Sequence, residues 1–135
     1  MRKFVIVALV ALALGSFAVG PASAVVPLNE IAVAGFDCGI DCESRDVTSI
    51  NGYINCTAGQ QYFFRVNLRQ GGATKAVGRA SGVCSGAPNQ VWTMNRVDDP
   101  GTLDCSNPIS SSGKGTIGGN PVRIDPEQQF CPTHA

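Results

Sequence analysis

The chain has 135 residues, with ten Lys or Arg, ten Asp or Glu, one His and a formal net charge of zero at neutral pH. That balance lacks the basic excess by which a nucleic-acid-binding domain is recognised. Six cysteines are an even count, as a framework of three disulfides requires.

In chain order, Arg2 and Lys3 precede an unbroken apolar run over residues 4–14, and "GSFAVGPASA" then ends in small residues at Ala22 and Ala24. This is the pattern of a cleaved secretory signal peptide, residues 1–24. The apolar run is shorter than the about 20 residues that a membrane span needs. The expected product is one exported, extracellular, disulfide-stabilised β domain over residues 25–135, with no membrane attachment after signal cleavage. Without Arg2 and Lys3, eight basic residues stand against ten acidic ones, so no nucleic-acid partner is expected.

Residues 29–36 read as a first strand, followed by the acidic loop "DCGIDCESRD" over 37–46. Residues 47–56 alternate, with Ile50, Ile54 and Cys56 on one side. After a turn at 57–59 comes the clearest strand, 61–69. Tyr62, Phe64, Val66 and Leu68 share one face, and Phe63, Arg65, Asn67 and Arg69 share the other. Such period-two alternation marks a half-buried strand. Gly71 and Gly72 announce a hairpin into a strand over 73–84, then "SGAPN" turns the chain into 90–97. A loop containing Cys105 and Pro108 leads to short strands over 111–117 and 121–124. Seven short strands and no convincing helix predict an all-β fold, an antiparallel immunoglobulin-like sandwich braced by disulfides, with a partly closed barrel as the alternative.

The hairpin register can be argued from burial. A two-residue loop, Gly71 and Gly72, places Phe64 opposite Arg79 and Leu68 opposite Lys75, driving cations into the core. A three-residue loop, 70–72, places Leu68 opposite Thr74, Val66 opposite Ala76, Phe64 opposite Gly78 and Tyr62 opposite Ala80. Because a one-residue slip flips every side chain, burial favours the second arrangement. Glycine supplies the left-handed turn conformation.

Strands that reverse at each turn bring Cys56 and Cys84 to one end of the domain and Cys38, Cys42, Cys105 and Cys131 to the other. Cys56–Cys84 is the preferred pair. Cys38–Cys42 with Cys105–Cys131 is the simplest arrangement of the rest, and cross-pairing among those four stays open. A metal site is not expected: Cys38 and Cys42 are spaced C-x-x-x-C with no second close pair, and the single His134 lies in the tail.

The succession Cys56, Gly59, the alternating strand to Gln70, Gly78, Cys84, Gly86, Trp92 and Gly101 resembles small secreted immunoglobulin-like proteins of unknown function that are common in actinobacteria. The resemblance spans residues 46–101. It implies a β-sandwich with a Cys56–Cys84 bridge and no assigned catalytic residues. The "DCGIDC" loop and the Cys105 and Cys131 positions depart from the simpler pattern.

Motifs for chemistry are sparse. A Ser/His/Asp hydrolase needs a positioned base, and His134 is the only histidine. "GRASGVCSG" (78–86) lacks the G-x-S-x-G spacing, and "GKGT" (113–116) lacks that of a phosphate loop. Asp37, Asp41, Glu43 and Asp46 are candidate calcium ligands without EF-hand spacing, and a solvated loop is the plainer reading. Trp92 and Met94 share a strand face and read as core. No cofactor and no catalytic set are therefore expected, and the protein reads as a non-enzyme.

One surface stands out. The outer face of the 61–84 hairpin gathers Phe63, Arg65, Arg69, Lys75 and Arg79 on an otherwise acidic chain. Under the expected register Arg79 lies beside Phe63, where it could stack on the ring. This face suits an anionic envelope polymer or an acidic protein surface. The plainer reading is a solvated sheet face whose charges prevent edge pairing. The expected function is an extracellular, non-catalytic binding or accessory module. The alternative is a disulfide-braced enzyme inhibitor or toxin-like effector acting through the 37–46 or 99–113 loop.

Overall fold

A computed structural model describes residues 25–39, 41–94, 97–98 and 101–132. The signal-like residues 1–24 and His134 lie outside these. Eight strands are present and no helix occurs among the described residues: β1 (Glu30–Asp37), β2 (Ser49–Asn55), β3 (Gln61–Gln70), β4 (Ala73–Val83), β5 (Gln90–Met94), β6 (Val97–Asp98), β7 (Ile109–Ile117) and β8 (Asn120–Gln129). They form a three-stranded sheet, β1-β2-β5, and a five-stranded sheet, β6-β4-β3-β7-β8, with every pairing antiparallel. The two sheets do not close into a barrel.

Where one strand over 90–97 is expected, there are two. β5 pairs with β2 and β6 pairs with β4, so the chain changes sheets between Met94 and Val97. β8 runs further than the expected 121–124, through Pro121 and Pro126. Both prolines are tolerated because β8 is an edge strand, where a missing N–H breaks no ladder.

The core lies between the sheets. β3 buries Tyr62, Phe64, Val66 and Leu68, β2 buries Ile50 and Ile54, and β5 buries Trp92 and Met94. The Phe64 and Trp92 rings meet edge to face, with centroids 5.0 Å apart. Trp92 Nε1 donates to the Tyr53 carbonyl at 2.9 Å. The indole lies over Gly52, where a Cβ would collide with the ring and with the Ala32 carbonyl oxygen. In β1 an extra residue at Ala34 forms a bulge against β2, so the buried positions change parity from Ile31 and Val33 to Phe36 and Cys38.

The hairpin corrects the expected register. The turn has two residues, Gly71 and Gly72, with φ of 61° and 80°, as the twist-matched hairpin turns require. Gln70 pairs with Ala73 and Arg69 with Thr74, but Leu68 then pairs with Ala76. Lys75 is the extra residue of a bulge. That bulge restores the parity that an unbroken two-residue loop would lose. Leu68 lies over Ala76, Val66 over Gly78, Phe64 over Ala80 and Tyr62 over Gly82. Large side chains cover small ones on the buried face, as burial demands, but each partner sits two residues further along β4 than a three-residue loop gives.

Three disulfides join Cys38 to Cys42, Cys56 to Cys84 and Cys105 to Cys131. The Cys56–Cys84 bridge staples the end of β2 to the end of β4, and the Cys84 amide and carbonyl bond Gln60 O and Gly59 N at 2.7 and 2.9 Å. At the opposite end the loops after β1 and β6 hold each other. Leu103 N donates to Cys42 O at 2.9 Å, and Val47 N to Gly101 O at 3.1 Å. Buried Gln70 grips the segment before β7, receiving from Asp104 N at 2.8 Å and donating to the Asp104 and Asn107 carbonyls at 2.6 and 3.1 Å.

The bridges differ in the loop they close, with sequence separations of 28 for Cys56–Cys84 and 4 for Cys38–Cys42. By loop-closure entropy, replacing Cys56 and Cys84 by alanine lowers unfolding stability by roughly 3.5 kcal/mol, against roughly 2 kcal/mol for Cys38 and Cys42. Urea denaturation of the two double variants measures the difference.

Candidate functional site

β3 is the central strand of the five-stranded sheet, with β4 on one side and β7 on the other. Its inward residues are apolar, so alternation sends Phe63, Arg65 and Asn67 outward. Register then decides what lies beside them. Arg65 pairs with Arg79 on β4 and with Lys114 on β7, and Lys114 pairs with Arg123 on β8. Arg79, Arg65, Lys114 and Arg123 thus form one row across four strands. With neighbouring strands about 4.8 Å apart, the row spans roughly 14 Å. The adjacent row is Ser81, Phe63, Thr116 and Pro121. Between the two rows lies an open groove of about 420 Å³, lined by Phe63, Arg65, Lys114, Thr116, Pro121 and Arg123 among others.

Like charges placed directly opposite one another repel. The row has little internal relief: among the described residues the single ion pair joins Arg79 to Asp98 on β6. Arg65 Nε is buried without a hydrogen-bond partner, an unsatisfied donor on a charged group. Phe63 is 52% exposed in the same groove. Cations that repel, an unpaired donor and an exposed ring together form a surface complementary to an anion with an apolar side.

The five residues expected to share this face divide into two groups. Phe63, Arg65 and Arg79 line the groove. Phe63 pairs with Ser81, however, and the Arg79 guanidinium goes to Asp98, so the expected Arg79–Phe63 stacking gives way to that ion pair. Arg69 lies at the hairpin turn, where its guanidinium donates to Thr74 Oγ1 at 2.7 Å and to Gly72 O at 2.6 Å. It braces the turn. Lys75 is the bulged residue, and neither it nor Arg69 lines the groove.

Lys114 and Arg123 escaped the sequence reading. Lys114 lies in "GKGT", which is mid-strand in β7. The outward position of Arg123 follows from Val122 and Ile124 on either side. Nothing local says that β7 lies against β3.

The acidic residues around the 37–46 loop serve a different end of the molecule. Asp37 Oδ1 accepts from Cys38 N and Gly39 N at 2.7 and 3.0 Å. Asp41 accepts from Glu43 N and Ser44 Oγ, and Glu43 from Cys105 N. These carboxylates brace loops, and no cluster able to hold a metal ion occurs among the described residues. "GRASGVCSG" lies mostly within β4. Asn55 donates its side-chain amide to Val26 O at 2.7 Å. Comparison with family models, with curated proteins and with solved structures returned no match.

Two outcomes follow. Lys114→Gln removes a cation flanked by Arg65 and Arg123, so it raises stability by roughly 0.2–1 kcal/mol at low ionic strength. That gain fades as salt is added, and thermal melts at two salt concentrations measure it. Separately, the Ser106 hydroxyl and then the Ser106 amide hold the Asp104 carboxyl below its ordinary range. Its contribution to stability is full above the ordinary Asp pKa and is lost as pH falls through the depressed one. Asp104→Asn should flatten that acid limb in a series of melts below pH 5.

Proposed function

We propose that the protein is a non-catalytic, exported binding module of immunoglobulin-like architecture that engages an anionic partner through the groove between β4, β3, β7 and β8. The carrying observation is the cross-strand row Arg79, Arg65, Lys114 and Arg123 beside exposed Phe63. A sheet face that needs charge only for solubility is served by interspersed signs. This one aligns four cations directly opposite one another across four strands, and the repulsion has a return only when an anion lies across it.

Export is supported by the signal-like residues 1–24 and by three disulfides, which persist in oxidising compartments. No helix among the described residues is long and apolar enough to cross a membrane. The loop-inserting inhibitor reading has less support. The loops after β1 and β6 spend backbone groups on each other, and residues 109–113 of the proposed second loop belong to β7.

The test compares the native oxidised chain with a variant carrying Arg65→Gln, Lys114→Gln and Arg123→Gln, and with Arg69→Gln as a control at the turn. Each is mixed with envelope material from the producing cell and pelleted across a salt series. The native chain and the control are expected to co-sediment at low salt and to be released as salt rises, while the triple variant stays in solution. Equal sedimentation of the triple variant and the native chain would sink the proposal.

A further inference from the structure

We infer that the groove's ligand is an acidic polysaccharide, a chain of sugar units bearing carboxylates, laid across the strands with a ring on Phe63. This rests on the anion-binding reading above and names its chemistry.

Three features of the groove select this class. The first is spacing. The cations recur at the distance between neighbouring strands, about 4.8 Å, and one pyranose unit advances a polymer by about the same distance. A chain with one carboxylate per unit meets one cation per strand. The second is twist. Adjacent strands turn by about 20° relative to one another, so the four cations fan out and no compact single anion reaches them all. A polymer that turns about its own axis does. The third is the neighbouring row. Phe63, Thr116 and Pro121 run alongside the cations. A sugar ring has an apolar face of C–H bonds that lies against an aromatic ring, and hydroxyls that a threonine side chain can meet. A purely inorganic polyanion has neither.

The ends of the row also differ. Asp98 occupies Arg79 at the β6 side, whereas no ion pair involves Arg65, Lys114 or Arg123 among the described residues. The strongest ligand contacts therefore centre on β3, β7 and β8. Single-stranded nucleic acid combines stacking with a basic track too, but it uses successive aromatic platforms, and Phe63 is the one aromatic lining this groove.

The experiment titrates the oxidised chain with oligogalacturonates of two, four and eight units, with inorganic polyphosphate, and with oligothymidylate. It repeats each titration with Phe63→Ala, which alters a side chain outside the core. Affinity for the uronates is expected to rise from two to four units and then flatten, and Phe63→Ala to weaken it by about five- to tenfold. Polyphosphate should bind more weakly than the tetramer and ignore the Phe63 change. Polyphosphate or oligothymidylate binding as tightly as the uronate tetramer would overturn the polysaccharide assignment while leaving the anion site in place. So would uronate binding indifferent to Phe63. If none of the three polyanions binds the native chain, the anion-binding reading itself fails, and this inference with it.

Discussion

Strand β3 carries Tyr62, Phe64, Val66 and Leu68 on one side and Phe63, Arg65 and Asn67 on the other, and only one side can face the opposite sheet. Burying an unpaired guanidinium costs several kcal/mol, while each large apolar side chain gains about 2 kcal/mol from burial. The parity of this strand is therefore settled with a wide margin, and its neighbours must conform. The bulge at Lys75 is how β4 conforms. A two-residue turn at Gly71 and Gly72 by itself would present Arg79 and Lys75 to the core. One extra residue moves them out and leaves Ala76, Gly78 and Ala80 to receive the large side chains of β3.

The same constraint creates the cationic row. Once Arg65 is forced outward from the centre of a five-stranded sheet, whatever lies opposite it on both sides is outward as well. Arg79, Lys114 and Arg123 occupy those positions. Core and candidate site are two faces of one register, and a slip that damaged either would damage both. The disulfides reinforce this by fixing the strand ends, Cys56 to Cys84 at one extremity and Cys105 to Cys131 at the other.

Part of the negative charge is committed to loop geometry. Asp37, Asp41, Glu43 and Asp104 turn their carboxylates onto loop amides and hydroxyls at one end, so their negative charge supports local geometry. Among the described residues, the one ion pair made by the row joins Arg79 to Asp98. The aligned row nevertheless presents local positive charge on one sheet face, which would draw and orient an anionic chain before contact.

The reversal of strand after strand led to the pairing of Cys56 with Cys84, and local pattern showed most strand positions, the lack of helix among the described residues and the two-faced character of β3, because alternation and turn glycines act over a few residues. It also marked Phe63, Arg65 and Arg79 as outward. Tertiary structure decided the rest. The bulge at Lys75 has no local signature, since a three-residue turn satisfies the same parity. The switch of sheets between Met94 and Val97 interrupts what reads as one run. Arg69 and Lys75 look equivalent to Arg65 in sequence, yet the turn engages one and the bulge displaces the other. Lys114 and Arg123 enter the site only because β7 docks on β3 and β8 on β7, long-range pairings that the sequence leaves open because each residue's alternation records which face it occupies, not which strand lies beside it.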